Sequence, residues 1–292
     1  MSEFAGRFAA SQIIGARERQ EDDLAALDLS GEGPERLLFV VADGMGGHSG
    51  AATVTQLAVR RFCELVEGGD GALDRRLPSA LLGANDAIAK AAILDGTLEG
   101  AGCAFLSVAV ENGALSWTNV GDCSLLLFRR GQLRKLNEDH SMRPVLAQMV
   151  KTGRLSATDA ARDPRRHSLR SALRGSEIRL IDNSPEPIRL MPGDSVILAS
   201  DGFETLSNRA VTRLLRREIA APPAKTVGRL LDAIQAARAR NQDNTTIIIY
   251  HFGAADGVHE RPPSTGWRRL LAFVLPAAFL LAVVYGLYLS IR

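Results

Sequence analysis

The chain has 292 residues, 46% hydrophobic and 23% charged, a balance that suits a globular protein and excludes disorder as the default state. With 35 basic and 33 acidic side chains the formal charge is +2, so no global field marks the chain for nucleic acid. Cys63, Cys103 and Cys123 have no CxxC spacing and are odd in number, which argues against a zinc ribbon and a disulfide scaffold and fits a reducing cytosol.

Met1 to Ala10 contains Glu3 and Arg7 without a long apolar core, unlike a secretory signal. A cluster of both signs follows, Gly15-Ala16-Arg17-Glu18-Arg19-Gln20-Glu21-Asp22-Asp23. Leu37 to Ala42 reads as a strand, being short, apolar and bounded by turn residues, and it ends in Asp43-Gly44-Met45-Gly46-Gly47-His48. Glycines there let the backbone turn sharply towards a helix and leave the carboxylate beside open carbonyls, the oxygen donors that Mg²⁺ and Mn²⁺ prefer. The same turn also suits Asp43 as a helix cap.

Val54, Leu57, Ala58, Phe62 and Leu65 recur at helical spacing after Ser49. Phe105–Glu111 and Ala114–Val120 read as strands joined by the hairpin signal Asn112-Gly113, and Leu125–Arg129 as another, followed by the weaker Arg130-Gly131 turn. Gly121-Asp122 places a carboxylate at a strand junction. The segment Ser141 to Ser176, rich in Arg, Ser and Ala, reads as an insertion with a short helical pattern after Ser156. Within it the arginine-rich run Arg162, Arg165, Arg166, Arg170 and Arg174 suits a solvated face that is also able to greet a phosphorylated or acidic substrate.

Ser195–Ala199 leads into Ser200-Asp201-Gly202, a second apolar strand ending in Asp-Gly. Val227, Leu230, Leu231 and Ile234 mark a helix, and Asn241-Gln242-Asp243-Asn244 precedes the strand Thr245–Phe252. Any one of these acids suits an Asx-turn; five carboxylate sites at strand ends point further. Antiparallel strands with single-faced helices give an α+β or layered sandwich class.

After Phe252 the Gly-, Pro- and Ser-rich stretch reads as a linker. Leu270 to Ser290 carries no charge, about the 20 residues needed to span a bilayer core. Arg261, Arg268 and Arg269 precede it, Trp267 suits an interfacial anchor, and only Arg292 follows, so the bulk of the chain is expected on the cytoplasmic side of the inner membrane. The expected organisation is a domain at 1–252, a linker at 253–269 and a transmembrane helix at 270–290.

The ordered set GARERQEDD, DGMGGH, NVGDCS, EDHS, LASDGF and QDNTT, running from about Gly15 to Tyr250, resembles the metal-dependent protein phosphatases, the type 2C-like serine/threonine phosphatases of bacterial type. The resemblance implies a four-layer α-β-β-α sandwich with two central antiparallel sheets. It implies that Asp43 bridges two Mn²⁺ or Mg²⁺ ions, that the Gly44 carbonyl helps bind the first, and that Asp201 and Asp243 bind the second. Glu21 and Asp22 would hold metal-bound waters, Arg17 would receive the substrate phosphate, and Asp122 with Asp201 matches a weaker third metal site. Phosphoserine and phosphothreonine would be hydrolysed by direct attack of a hydroxide bridging the two ions.

Met45 stands where eukaryotic members often carry a histidine, leaving His48 as a candidate general acid or a cap. Ser124 and Gly102-Cys103-Ala104 also depart from the family pattern, without touching a metal ligand. His140, His167, His251 and His259 have no ligand spacing, so exposure or loop hydrogen bonding is expected of each. The cysteines are expected to be packed side chains. The partners implied are phosphorylated proteins, among them a membrane serine/threonine kinase or its substrates, and the membrane itself through the C-terminal helix. No nucleic-acid partner is implied, and oligomeric state is not indicated. The competing readings are a non-catalytic phosphoprotein-binding scaffold and a two-metal nuclease, the latter lacking a basic channel.

Overall fold

The chain builds two antiparallel sheets packed face to face, each covered outside by a pair of helices. The computed structural model describes residues 7–46 and 50–253; the expectations placed on His48, on the linker beyond 253 and on the 270–290 helix lie outside the described residues. In chain order the elements begin with β1 (Phe8–Ile13), β2 (Asp23–Asp28), β3 (Arg36–Met45), α1 (Gly50–Glu67) and α2 (Leu73–Leu94). They continue with β4 (Gly102–Glu111), β5 (Ala114–Val120), β6 (Ser124–Arg129), β7 (Gln132–Lys135), α3 (Arg143–Lys151) and α4 (Ala157–Arg162). The last are β8 (Asp182–Asn183), β9 (Ile188–Arg189), β10 (Ser195–Ala199), α5 (Asn208–Arg217), α6 (Pro223–Ala236) and β11 (Thr245–His251).

One sheet runs β1-β11-β10-β6-β7 and the other β2-β3-β4-β5-β8, with β9 also pairing β5. Strand β3 shows why the central strands read as unbroken apolar runs. Its Leu38, Val40 and Ala42 face α1 and α2, while Leu37, Phe39 and Val41 face the opposite sheet. A strand buried on both faces has no polar side to alternate with. In the other sheet Val196, Leu198, Ile248 and Tyr250 point to the middle, and Ile197, Ala199, Ile247 and Ile249 pack on Val227, Leu230 and Ile234 of α6. Three apolar layers therefore separate four structural ones, each fully buried Leu or Phe contributing about 1.5–3 kcal/mol.

The expected strands and both hairpins are present. Asn112 and Gly113 have φ of 52° and 70°, and Arg130 and Gly131 of 51° and 76°, the left-handed pair that a two-residue hairpin demands. The 141–176 segment contains α3 and α4 and is tied down at both ends. Ser141 bridges Leu169, Cys103 bridges Leu173, and the Leu173 side chain is fully buried beneath the first helical layer. Among the described residues no helix is long and apolar enough to cross a membrane.

Candidate metal and phosphate site

Antiparallel register decides where the acids fall. Asp23 at the start of β2 pairs Ala42 near the end of β3, Phe105 near the start of β4 pairs Val120 at the end of β5, and Ala199 at the end of β10 lies beside Ile247 near the start of β11. The residues just beyond these points, Asp22, Asp122, Asp201 and Asp243, therefore emerge at corresponding ends of their strands. Strand β3 runs on past the apolar core, so Asp43 pairs Ala104 and Gly44 pairs Cys103 within the ladder. A cavity of about 230 Å³ is lined by Arg17, Glu21, Asp43, Gly44, Asp122 and Asp201, with Asp243, His167 and Leu169 among the remaining wall residues.

Neighbouring polar groups fix each part of the wall. Asp22, 6% exposed, accepts hydrogen bonds at Oδ2 from the hydroxyls of Ser200 at 2.7 Å and Thr246 at 2.8 Å. Asn244 accepts from the Glu21 N–H at 2.8 Å and donates to the carbonyls of Ile14 and Arg19 at 2.8 and 3.0 Å, joining the 14–21 loop to the start of β11. The Asp201 N–H donates to Asp43 Oδ2 at 3.4 Å. Arg17, exposed at the rim, donates from Nη2 to Asp243 Oδ2 at 2.5 Å.

Two close approaches need glycine. A Cβ on Gly44 would stand 2.5 Å from the Glu21 carbonyl oxygen and 2.8 Å from Thr55 Oγ1. One on Gly202 would stand 2.2 Å from the Asn244 carbonyl oxygen, so the Asp201 turn seats directly on the Asp243-Asn244 turn. The Gln242 side-chain amide, which donates to the Gly202 carbonyl at 3.0 Å, holds the two together.

The electrostatics follow from crowding acids in a poorly solvated place. Burial pushes the Asp43 carboxyl well above the usual range, and the charges of Asp22, Asp201, Asp122 and Asp243 push it further. Asp201 is raised by burial and then by Asp243, and Asp22 by burial against the pull of its two hydroxyl donors. Burial raises Asp122 to about 7. Such a set is costly unless positive charge neutralises it, and its donors are all hard oxygens, which fits Mg²⁺ or Mn²⁺. Among the described residues no three His, Cys, Asp or Glu side chains converge on one point closely enough to hold an ion as they stand. Two of the acids are turned to guanidinium groups, Asp243 to Arg17 and Asp122 to Arg143.

Loop hydrogen bonding and exposure were expected of His140 and His167 in turn, but the place of these two and of Arg143 at or behind the wall was not. His140 is 1% exposed, and its ring Nδ1 accepts from the Gly121 N–H at 3.2 Å while its backbone N–H donates to the Gly121 carbonyl at 3.0 Å. It thus shapes the turn that presents Asp122. His167, from the segment after α4, is exposed but lines the cavity. Arg143 is an inward-facing arginine in a segment expected only to be an insertion. No spacing in the chain marks any of them, because each depends on where the 137–174 segment folds back.

Together the layers and the site define an α+β sandwich with an acidic, oxygen-rich centre suited to divalent cations and an arginine at its rim. The chain belongs to the protein phosphatase 2C family, whose model matches residues 13–240. It is 29% identical over 220 residues to the serine/threonine protein phosphatase PstP of Mycobacterium tuberculosis, a match that takes in 73% of this chain and spans 40% of that relative's length. The catalytic domain of PstP in complex with 2 manganese ions is similar with a TM-score of 0.66 at 26% identity, covering 84% of this chain and 97% of that one. PppA of Pseudomonas aeruginosa, described as a key regulatory component of T6SS, is similar with a TM-score of 0.65 at 25% identity, covering 84% and 97%.

Proposed function

We propose that the chain is a metal-dependent serine/threonine protein phosphatase acting on phosphoserine and phosphothreonine. The observation that carries this reading is the gathering of Asp43, Gly44, Asp201, Asp243 and Arg17 around one open cavity at a shared end of the strands. Asp43 and the Gly44 carbonyl would hold one cation, and Asp43, Asp201 and Asp243 the second, with Glu21 and Asp22 accepting hydrogen bonds from their waters. When bound, two Mn²⁺ or Mg²⁺ ions supply a water that is nucleophilic at neutral pH and positive charge for the phosphoryl oxygens.

The chain's own groups do the rest. Arg17 swings from Asp243 to the substrate, where its planar fork matches two phosphoryl oxygens. Asp22, pinned by Ser200 and Thr246, keeps a fixed acceptor beneath the site. Two histidines are candidates to protonate the leaving alkoxide: His48, three residues beyond Met45 in sequence, and His167, which lines the cavity.

The uncharged stretch 270–290 supports a reading in which the catalytic domain is tethered to the cytoplasmic face of the inner membrane. Tethering raises its effective concentration near phosphoproteins in the same bilayer, where it would oppose a serine/threonine kinase. The test of the catalytic reading is Mn²⁺-dependent phosphate release from phosphothreonine peptides. The wild type is expected to turn over and Asp43→Asn to be nearly inactive; equal rates overturn the site.

A further inference from the structure

Arg143 opens α3, and its side chain is only 13% exposed. Its guanidinium meets carboxylates from three parts of the chain. Nη2 lies 3.5 Å from Asp122 Oδ2, Nε lies 3.0 Å from Asp139 Oδ2, and Nη1 pairs with Glu204. Nε also faces the Ser141 hydroxyl at 3.1 Å. Asp122 is 4% exposed in the turn between β5 and β6, and Glu204 lies in the 3-10 turn Asp201–Thr205 that begins with a proposed cation ligand. Among the described residues Arg143 is the cation in ion-pair contact with Asp122.

A carboxylate buried this deeply needs a positive partner. A guanidinium meets that need permanently, because it keeps its proton at any working pH and its five N–H groups reach several acceptors at once. A mobile divalent ion at the same place would have to displace or sit against a fixed positive charge. Both groups are held by the fold, Asp122 by the His140-supported turn and Arg143 by the first turn of α3, so neither swings aside freely.

We propose that Arg143 is a built-in counter-cation. It balances the Asp122 end of the cavity, confines divalent ions to the Asp43, Asp201 and Asp243 end, and leaves Asp122 a partner of the arginine and no ligand of a metal. The proposal rests on the phosphatase reading only in taking divalent ions to bind at all. Arg143 also latches α3 to the turns carrying Asp122 and Asp201, which makes it a positioning residue for the 143–162 segment.

The test counts ions without reference to activity. The full-length chain, purified in detergent, is titrated with Mn²⁺, and free Mn²⁺ is read by electron paramagnetic resonance. Asp122→Asn is expected to bind the same number of ions as the wild type, with affinities unchanged within about twofold. Arg143→Met is expected to bind one more ion per chain, Arg143→Lys to keep the wild-type number, and the Arg143→Met, Asp122→Asn double variant to lose the extra ion. Loss of an ion in Asp122→Asn alone, or no gain in a folded Arg143→Met, overturns the proposal. Should Arg143→Met fail to fold, Asp122→Asn decides by itself. A wild type that binds its ions in these counts but releases no phosphate from phosphothreonine peptides would count against the phosphatase reading and not against the role of Arg143.

Discussion

Arg17 lies with its Nη2 2.5 Å from Oδ2 of Asp243, although the two residues stand 226 positions apart. The pair joins the loop before β2 to the turn before β11, and one of its members is the proposed phosphate ligand while the other is a proposed metal ligand. Replacing Arg17 by Ala therefore acts in two directions. Loss of a charge-assisted hydrogen bond to the phosphoryl group costs about 1.5–3 kcal/mol, so kcat/KM for phosphopeptides should fall about 10- to 150-fold. Asp243 is freed at the same time, so Mn²⁺ affinity should hold or rise. Steady-state kinetics with Mn²⁺ titration reads both, and a drop in Mn²⁺ affinity with kcat/KM preserved would reverse the assignment.

Gly44 tests whether the backbone of β3 belongs to the site. A methyl group there meets the Glu21 carbonyl at 2.5 Å and Thr55 Oγ1 at 2.8 Å, so β3 and the Glu21 turn must part. Overpacking of this kind costs about 1–3 kcal/mol. Gly44→Ala is expected to lower the urea midpoint and to weaken Mn²⁺ binding at least tenfold, whereas Gly228→Ala, with open space around its Cβ position, should leave Mn²⁺ binding alone. Equal effects of the two changes would show that Gly44 has no special part in Mn²⁺ binding.

The contrast between residues legible in the chain and those that were not has a physical basis. Asp43, Asp201 and Asp243 each abut an apolar run long enough to be a doubly buried strand, so local composition alone locates them at the ends of those runs, although β3 itself pairs on through Met45. Strands β8 and β9, two residues each, carry no pattern of their own and exist only as partners of β5. Helix α2 holds Pro78 and Gly83 inside an otherwise regular apolar face of Leu73, Leu77, Leu81, Ala84 and Ile88; packing on α1 outweighs those two breakers. Arg143 and His140 were hidden for another reason. Their importance comes from Asp122, 21 and 18 residues earlier, and only the fold of the hairpin β6–β7 brings them beside it.

The proposed tether separates the molecule into a part that does chemistry and a part that places it. Carbonate-washed membranes from cells expressing the full-length chain should retain it, and a chain ending at Gly266 should move to the supernatant with its phosphopeptide kcat/KM intact. The catalytic comparison follows from the site residues all lying between Arg17 and Asp243. A full-length chain found in the soluble fraction would remove the tether, and a truncated chain that stays with the membrane would shift it elsewhere.

The three thiols offer a check on both packing and mechanism. Cys103 and Cys123 are fully buried and Cys63 is 8% exposed. Burial pushes the Cys63 thiol up to about 12 and raises the Cys103 and Cys123 thiols above their ordinary value as well. Thiolate is the reactive form, so at pH 8 the folded protein should resist iodoacetamide and keep its phosphatase activity, and all three cysteines should react in 6 M guanidinium. Rapid inactivation by the reagent under native conditions would place a thiol in the reaction after all.

His251 supplies a pH dependence far from the metal ligands. It ends β11 opposite Ser195, is 7% exposed, and its Nε2 is buried without a hydrogen-bond partner. Burial lowers its pKa below the ordinary 6.5, so the unfolded chain takes up this proton at a higher pH than the folded one. Stability is then lost as pH falls through 6.5 towards the folded value, and the loss stops once the folded histidine also protonates. One proton changes stability by at most about 1.4 kcal/mol per pH unit. The acids of the site, raised in the folded state, contribute with the opposite sign, so the wild-type curve alone is a mixture. His251→Gln removes only the histidine part. Urea unfolding at pH 7.5 and 5.5 should show the variant losing less stability on acidification than the wild type, and parallel losses in the two proteins would mean that His251 reaches solvent when it protonates.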